Sequence, residues 1–180
     1  VLSSSGSGYL SDIIKGIDWV RARASTIEVI NMSIGGKGYS SSYRTAIANC
    51  VNAGIVVMVA AGNEATDVYG ADGTLGTKDD RVPAAFPEAA AISALADSNG
   101  EPGGGGPSTS YGPDDSFASF SNYSRSVVAG NPVNSPGKAI DLLMPGVNIY
   151  SCYIESLKLR EGSVDSLLEM DQSWNAEDAG

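Results

Sequence analysis

Two short loops in this chain hold the residues best suited to chemistry. One is Ser33-Ile34-Gly35-Gly36, and the other is Ala61-Gly62-Asn63. Each follows an apolar, β-branched run. Glycine lets another backbone approach closely, because no Cβ intervenes. An extended peptide can therefore pair with Ser33, Ile34 and Gly35 through main-chain hydrogen bonds, as an added strand. Asn63 offers a side-chain NH₂ at the end of its run. An amide donor placed there can bond an oxygen that becomes negative during acyl transfer. The same spacing also fits plain turn glycines and an asparagine that caps a loop.

Other residues offer less. The chain contains no histidine, so no serine can be activated by an imidazole base. Ser163, after Gly162, is read as a helix cap rather than a nucleophile. Cys50 and Cys152 are too few and too far apart for a disulfide framework or a zinc site, and two buried thiols is the reading preferred over one disulfide. Gly35-Gly36-Lys37-Gly38 follows a strand and precedes a helix, as a phosphate loop does. A Walker sequence needs Ser or Thr after Lys37 and Gly five places before Gly36, where Gly38 and Asn31 stand. Asp67, Asp72, Asp79 and Asp80 could offer oxygens to a hard cation, but Val68 and Gly70 occupy places an EF-hand needs for ligands. A solvated acidic turn is the preferred reading. Asn122-Tyr123-Ser124 is a glycosylation sequon of little weight, and Asn31-Met32-Ser33 is another on an expected buried strand.

The elements that position the two loops are legible from periodicity. Leu10, Ile13, Ile14, Ile17 and Val20 form one helical stripe within residues 9–24. Ile27–Met32 reads as a strand. Ser40–Ser42 can cap a second helix, with Tyr43, Ala46, Ile47, Cys50 and Val51 on its apolar face. Gly54 sits where a helix C-terminal glycine belongs. Ile55–Ala60 has no polar residue, which predicts a strand buried on both faces. Strand, helix, strand over about 35 residues is a βαβ unit, which makes a parallel sheet. Further strands are expected at 89–95, 117–121, 140–143 and 147–152. Residues 67–80 and 100–107 are expected loops, and a short helix is expected around Val164, Leu167 and Leu168. In an open parallel sheet, ligands bind beyond the carboxyl ends of the strands, where both candidate loops emerge.

Composition narrows the function. The 180 residues are 42% hydrophobic and carry a net charge of −10. Such a chain can bury a core, and its charge repels phosphate backbones, which argues against nucleic acid as a partner. No stretch is long and apolar enough to span a membrane as a helix. Val1-Leu2 reads as the end of a strand already under way, so the chain is expected to begin inside a domain. Residues 153–180 carry seven acidic and two basic side chains.

Four motifs, in order, resemble the subtilisin-like serine proteases. They are Asn31-Met32-Ser33-Ile34-Gly35-Gly36, Val59-Ala60-Ala61-Gly62-Asn63-Glu64, Phe117-Ala118-Ser119-Phe120-Ser121-Asn122 and Asp141-Leu142-Leu143-Met144-Pro145-Gly146-Val147. Gly6-Ser7-Gly8 extends the likeness upstream. The resemblance covers residues 1–152, read as a partial catalytic domain, with 153–180 as a divergent acidic tail. It implies an α/β fold with a parallel sheet in three layers, here incomplete. It also implies that Asn63 is the oxyanion-hole asparagine. Ser33, Ile34 and Gly35 would form one substrate-binding strand and Ser7-Gly8 the opposing one. Ala60, Ala61 and Gly62 would wall the pocket for the side chain before the scissile bond. Met144 departs from the small residue usual before Pro-Gly.

The family's catalytic Asp, His and Ser contexts are not found in this chain. The expectation is thus a piece of a secreted serine endopeptidase, supplying cradle and oxyanion donor while inactive alone. Its partner would be a peptide or protein substrate. No cofactor is needed for the chemistry, although the family's frequent use of calcium raises the case for a structural ion at Asp67–Asp80. The rival is a non-catalytic relative that binds peptides. A nucleotide-binding α/β protein is supported only by fold class.

Overall fold

The computed structural model of the chain describes residues 1–3, 6–125 and 139–149. Cys152, Ser163, the helix expected around Val164 and the acidic tail lie outside these residues.

Helix α1 (Leu10–Arg21) buries Leu10 and Ile17, and packs Ile13, Ile14 and Val20 against the same core. Strand β1 (Val29–Met32) follows, then the short β2 (Gly36–Lys37). Helix α2 (Ser41–Asn52) is closed at both ends by its own sequence. Ser40 Oγ accepts from the Tyr43 N–H at 3.3 Å, as an N-cap should. At the other end Gly54 takes φ +90°. The Gly54 N–H donates to the Val51 carbonyl at 2.9 Å and the Ile55 N–H to the Cys50 carbonyl at 3.1 Å. That pair of bonds is a Schellman closure, which needs the left-handed residue glycine supplies.

Strand β3 (Val56–Ala60) pairs parallel with β1, Val29 to Val56 through Met32 to Val59. After β4 (Arg81–Val82), which pairs antiparallel with β2, strand β5 (Ala90–Ala96) adds parallel to β3. Strand β7 (Ile140–Pro145) adds parallel to β5, and the two-residue β6 (Ser116–Phe117) pairs antiparallel with the end of β5. Asp141 is the extra residue of a bulge between β5 and β7. Its Oδ2 accepts the Ala91 N–H at 2.8 Å, replacing the ladder bond the bulge interrupts.

The core lies between the sheet and the two helices. Ile47, Cys50, Val57, Val59, Ala91 and Phe86 are buried there. Tyr39 and Tyr43 meet the Phe86 ring edge-on, at 5.9 and 5.4 Å between centroids. Burial pushes the Tyr43 hydroxyl far above its ordinary pKa. Cys50 is a free thiol whose Sγ reaches the Ile17 carbonyl, and burial raises its pKa too.

Several expectations are corrected. Ile55–Ala60 is not buried on both faces. Val57 and Val59 are buried, but Val56 is 49% exposed, as are Leu142 (49%) and Met144 (51%) on the same outer face. The described helices cover only the inner face. Val51 lies on the exposed side of α2. Within 117–121 only Phe117 is in a strand, and Val147–Ile149 and Val1–Leu2 are in none. The 67–80 loop is no plain surface loop, since Val68, Tyr69 and Asp80 are fully buried. No helix of the described residues is long and apolar enough to cross a membrane.

Candidate active site

Strand register brings the two candidate loops together. Met32 and Val59 are partners in the last rung of the β1–β3 ladder. Ser33–Gly35 and Ala61–Asn63 therefore leave adjacent parallel strands at the same, carboxyl edge. Ser33 and Gly35 are exposed and Ile34 is half-buried. Asn31 Nδ2 lies 3.4 Å from Ser33 Oγ. Gly36 and Lys37 turn away to pair with β4, so Ser33–Gly35 belongs to neither ladder.

Ala60 is half-buried, Ala61 buried and Gly62 half-buried. The Ala61 N–H still pairs with the Ile92 carbonyl at 2.9 Å, continuing the β3–β5 ladder by one residue. Gly62 breaks it with φ +99°. Asn63 is half-buried, and its amide makes no hydrogen bond with any described residue. Ser7 and Gly8 stand in the loop ahead of α1. A Cβ at Gly8 would fall 2.5 Å from the Val1 carbonyl, so the backbone is tightly folded there.

A residue that the site reading passed over is Asn122, which is fully buried beneath this loop. Its Oδ1 accepts from the Glu64 N–H at 3.0 Å and the Thr66 N–H at 3.1 Å. Its Nδ2 donates to the Ala61 carbonyl at 2.8 Å and to Glu64 Oε2 at 2.5 Å. The sequon that begins at Asn122 thus has its amide engaged on both sides, leaving no room for a glycan in this fold. Sequence offered no signal for these bonds beyond the shared motif, because the partners stand 56 to 61 positions away.

A mostly parallel sheet with helices on one face and a glycine-broken strand end places the chain in the class of open α/β sheets. The family is settled by comparison. The chain matches the subtilase family (peptidase S8) over residues 1–176. It is 36% identical over 151 residues to subtilisin E of Bacillus subtilis, which covers 84% of this chain and 30% of that protein. It is 35% identical over 156 residues to an extracellular serine proteinase of Thermus sp., covering 87% and 28%. Among solved structures, a cold-adapted subtilisin-like serine proteinase superposes with a TM-score of 0.58 at 32% identity, covering 84% of this chain and 41% of that one. The chain belongs to the subtilase family. It spans about a third of the length of the relatives it matches.

The acidic residues at 67–80 accept backbone N–H groups. Asp67 Oδ1 accepts the Tyr69 N–H and its Oδ2 the Arg125 N–H, both at 3.0 Å. Asp79 takes the Ala71 N–H at 2.8 Å, and Asp80 takes the Gly76 N–H at 2.7 Å and the Thr77 N–H at 3.2 Å. Asp79 and Asp80 tie the loop to itself, and Asp67 ties it to Arg125. Burial raises the Asp80 pKa, whereas the Thr77 hydroxyl and the Ala71 N–H hold Asp79 low. Among the described residues the carboxylates that do converge, within 4.8 Å, are Asp97, Asp114 and Asp115. Their oxygens suit a hard cation in type. Yet Asp114 already accepts from the Ser98 N–H, the Ser98 hydroxyl and the Gly106 N–H, and Asp115 from the Gly103 and Gly104 N–H groups. Donors aimed at the carboxylates describe an organised glycine loop.

Proposed function

We propose that this chain is the substrate cradle and oxyanion-stabilising part of a secreted serine endopeptidase. The observation that carries the reading is the position of Asn63. It follows β3 at the carboxyl edge, beside the exposed Ser33–Gly35 segment that follows β1, with its amide unengaged by any described residue.

In this reading an extended peptide lies along Ser33, Ile34 and Gly35, with Ser7-Gly8 as the strand on its other side. Ala60, Ala61 and Gly62 line the pocket for the side chain before the scissile bond. A serine of the whole protein attacks the peptide carbonyl. The carbonyl oxygen gains negative charge as the tetrahedral intermediate forms, and the Asn63 NH₂ donates to it. That donor gains strength only as charge develops, so it lowers the barrier rather than tightening ground-state binding. In this reading a histidine outside this segment serves as general base, since the chain has none, and the segment alone is expected to be inactive. Secretion is supported by the extracellular proteinase among its relatives. None of the chemistry calls for a cofactor.

The test is Asn63→Leu in the whole protein. Loss of such a donor in a subtilisin lowers kcat by about 10²–10³, a magnitude carried over from the family. We expect the same order here with KM little changed. An unchanged kcat would overturn the assignment.

A further inference from the structure

We propose that Asn122 and Glu64 are positioning residues for Asn63. This rests on the reading of Asn63 as the oxyanion donor.

Asn63 stands in a loop whose peptide groups are held from below by the backbone and side chain of one buried residue. The Asn122 backbone N–H donates to the Gly62 carbonyl at 2.9 Å. Its Nδ2 holds the Ala61 carbonyl, and its Oδ1 holds the Glu64 N–H. The peptide units on both sides of Asn63 are thereby fixed to a single residue from a distant loop. Asn122 is itself anchored, because its carbonyl accepts the Ser93 hydroxyl of β5 at 2.7 Å. Glu64 closes the arrangement. Its Oε2 takes the second Nδ2 hydrogen, and its Oε1 faces the Arg81 guanidinium of β4 at 3.7 Å. The orientation of the Asn122 amide is thus defined by a carboxylate that only accepts and by two N–H groups that only donate. A rotated amide would break all four contacts.

The Asn63 side chain has no such bonds to the described residues, so its aim depends on its backbone. A group that must meet a developing charge loses its effect when displaced by about 1 Å, a misplacement that can cost on the order of 10²-fold in rate.

The experiment uses Asn122→Asp in the whole protein, with a chromogenic peptide anilide as substrate. The change keeps the acceptor for Glu64 and Thr66, removes the donor to Ala61 and sets a carboxylate against Glu64. We expect kcat to fall about 10- to 100-fold, with KM changed less than threefold. Adding Glu64→Gln restores a donor–acceptor pair and is expected to recover most of the loss. The deciding measurement is the cycle with Asn63→Leu. If Asn122 acts through Asn63, Asn122→Asp has little further effect on kcat once Asn63 is leucine. An equal fall in both backgrounds, or no fall at all, overturns the proposal. Should Asn122→Asp fail to fold, Glu64→Ala at the half-exposed end of the arrangement is read through the same cycle, with a fall of about 3- to 10-fold expected. If Asn63→Leu leaves kcat unchanged while the Asn122 variants lower it, the oxyanion reading is the one that fails.

Discussion

The Asn122 amide occupies the space in which a Cβ on Gly62 would lie. Gly62 therefore answers two demands, a φ of +99° and contact with a buried side chain. Gly62→Ala should lose about 1–3 kcal/mol of stability from backbone strain, and should also lower kcat by pushing Asn122 out of place. Gly76 has φ +103° with open space around it. Gly76→Ala is thus expected to cost stability alone. Urea unfolding and peptide-anilide kinetics on the two variants separate strain from displacement, and equal kinetics would show that the close contact is unimportant.

Arg44 on α2 grips Glu88, just before β5, through Nε and Nη2, with the shortest bond at 2.9 Å. The side chains are 33% and 21% exposed, so solvent screens the pair only in part. A double-mutant cycle should give a coupling of about 1 kcal/mol. Lysine presents no fork. Arg44→Lys should therefore lose most of that coupling, and full retention would mean that charge alone matters.

The two ends of α2 should contribute independently. Ser40→Ala is expected to cost about 1 kcal/mol through the lost cap. Gly54→Ala forces a left-handed residue and should cost about 1–2 kcal/mol. The double variant is expected to show the sum within about 0.5 kcal/mol, as separate sites do. Chemical denaturation measures all three.

Asp114 provides a pH dependence with a definite sign. The Ser98 N–H, and after it the Gly106 N–H, hold its pKa below the usual carboxylate range. Its ionised form is thus favoured by folding. The stabilisation is present above the ordinary carboxylate pKa of about 3.9 and fades as pH falls through the lower folded value. Asp114→Asn should be less stable than the parent near neutral pH, and the gap should narrow under acid. Urea midpoints at pH 7 and pH 3 test this, and a gap independent of pH would contradict it.

The helices and the parallel strands were legible because their signals are local. The stripe from Leu10 to Val20, the Ser40 cap and the Gly54 closure each depend on neighbours within one or two turns. The family was legible because four motifs stand in order. The burial of β3 was misjudged for a physical reason. An apolar run such as Ile55–Ala60 reports what the sheet face is made of, and it does not report which residues cover it. Asn122 was overlooked because its partners lie on a different loop. The same is true of Asp114, whose bonds to Ser98 and Gly106 organise a loop that reads as flexible from its glycines. The aspartates at 67–80 looked like free oxygens because sequence does not show which backbone N–H groups will turn toward them.

The order of strands in the sheet has a consequence for synthesis. β1, β3, β5 and β7 lie side by side in the order in which they occur in the chain, all parallel. Each strand can dock on an edge already made, with about thirty residues between β3 and β5. At a translation rate of roughly 5–20 residues per second, that interval lasts a few seconds. The Asn63 loop, by contrast, waits for Asn122, some sixty residues later. The sheet edge is therefore laid down well before the residue that fixes the loop upon it leaves the ribosome.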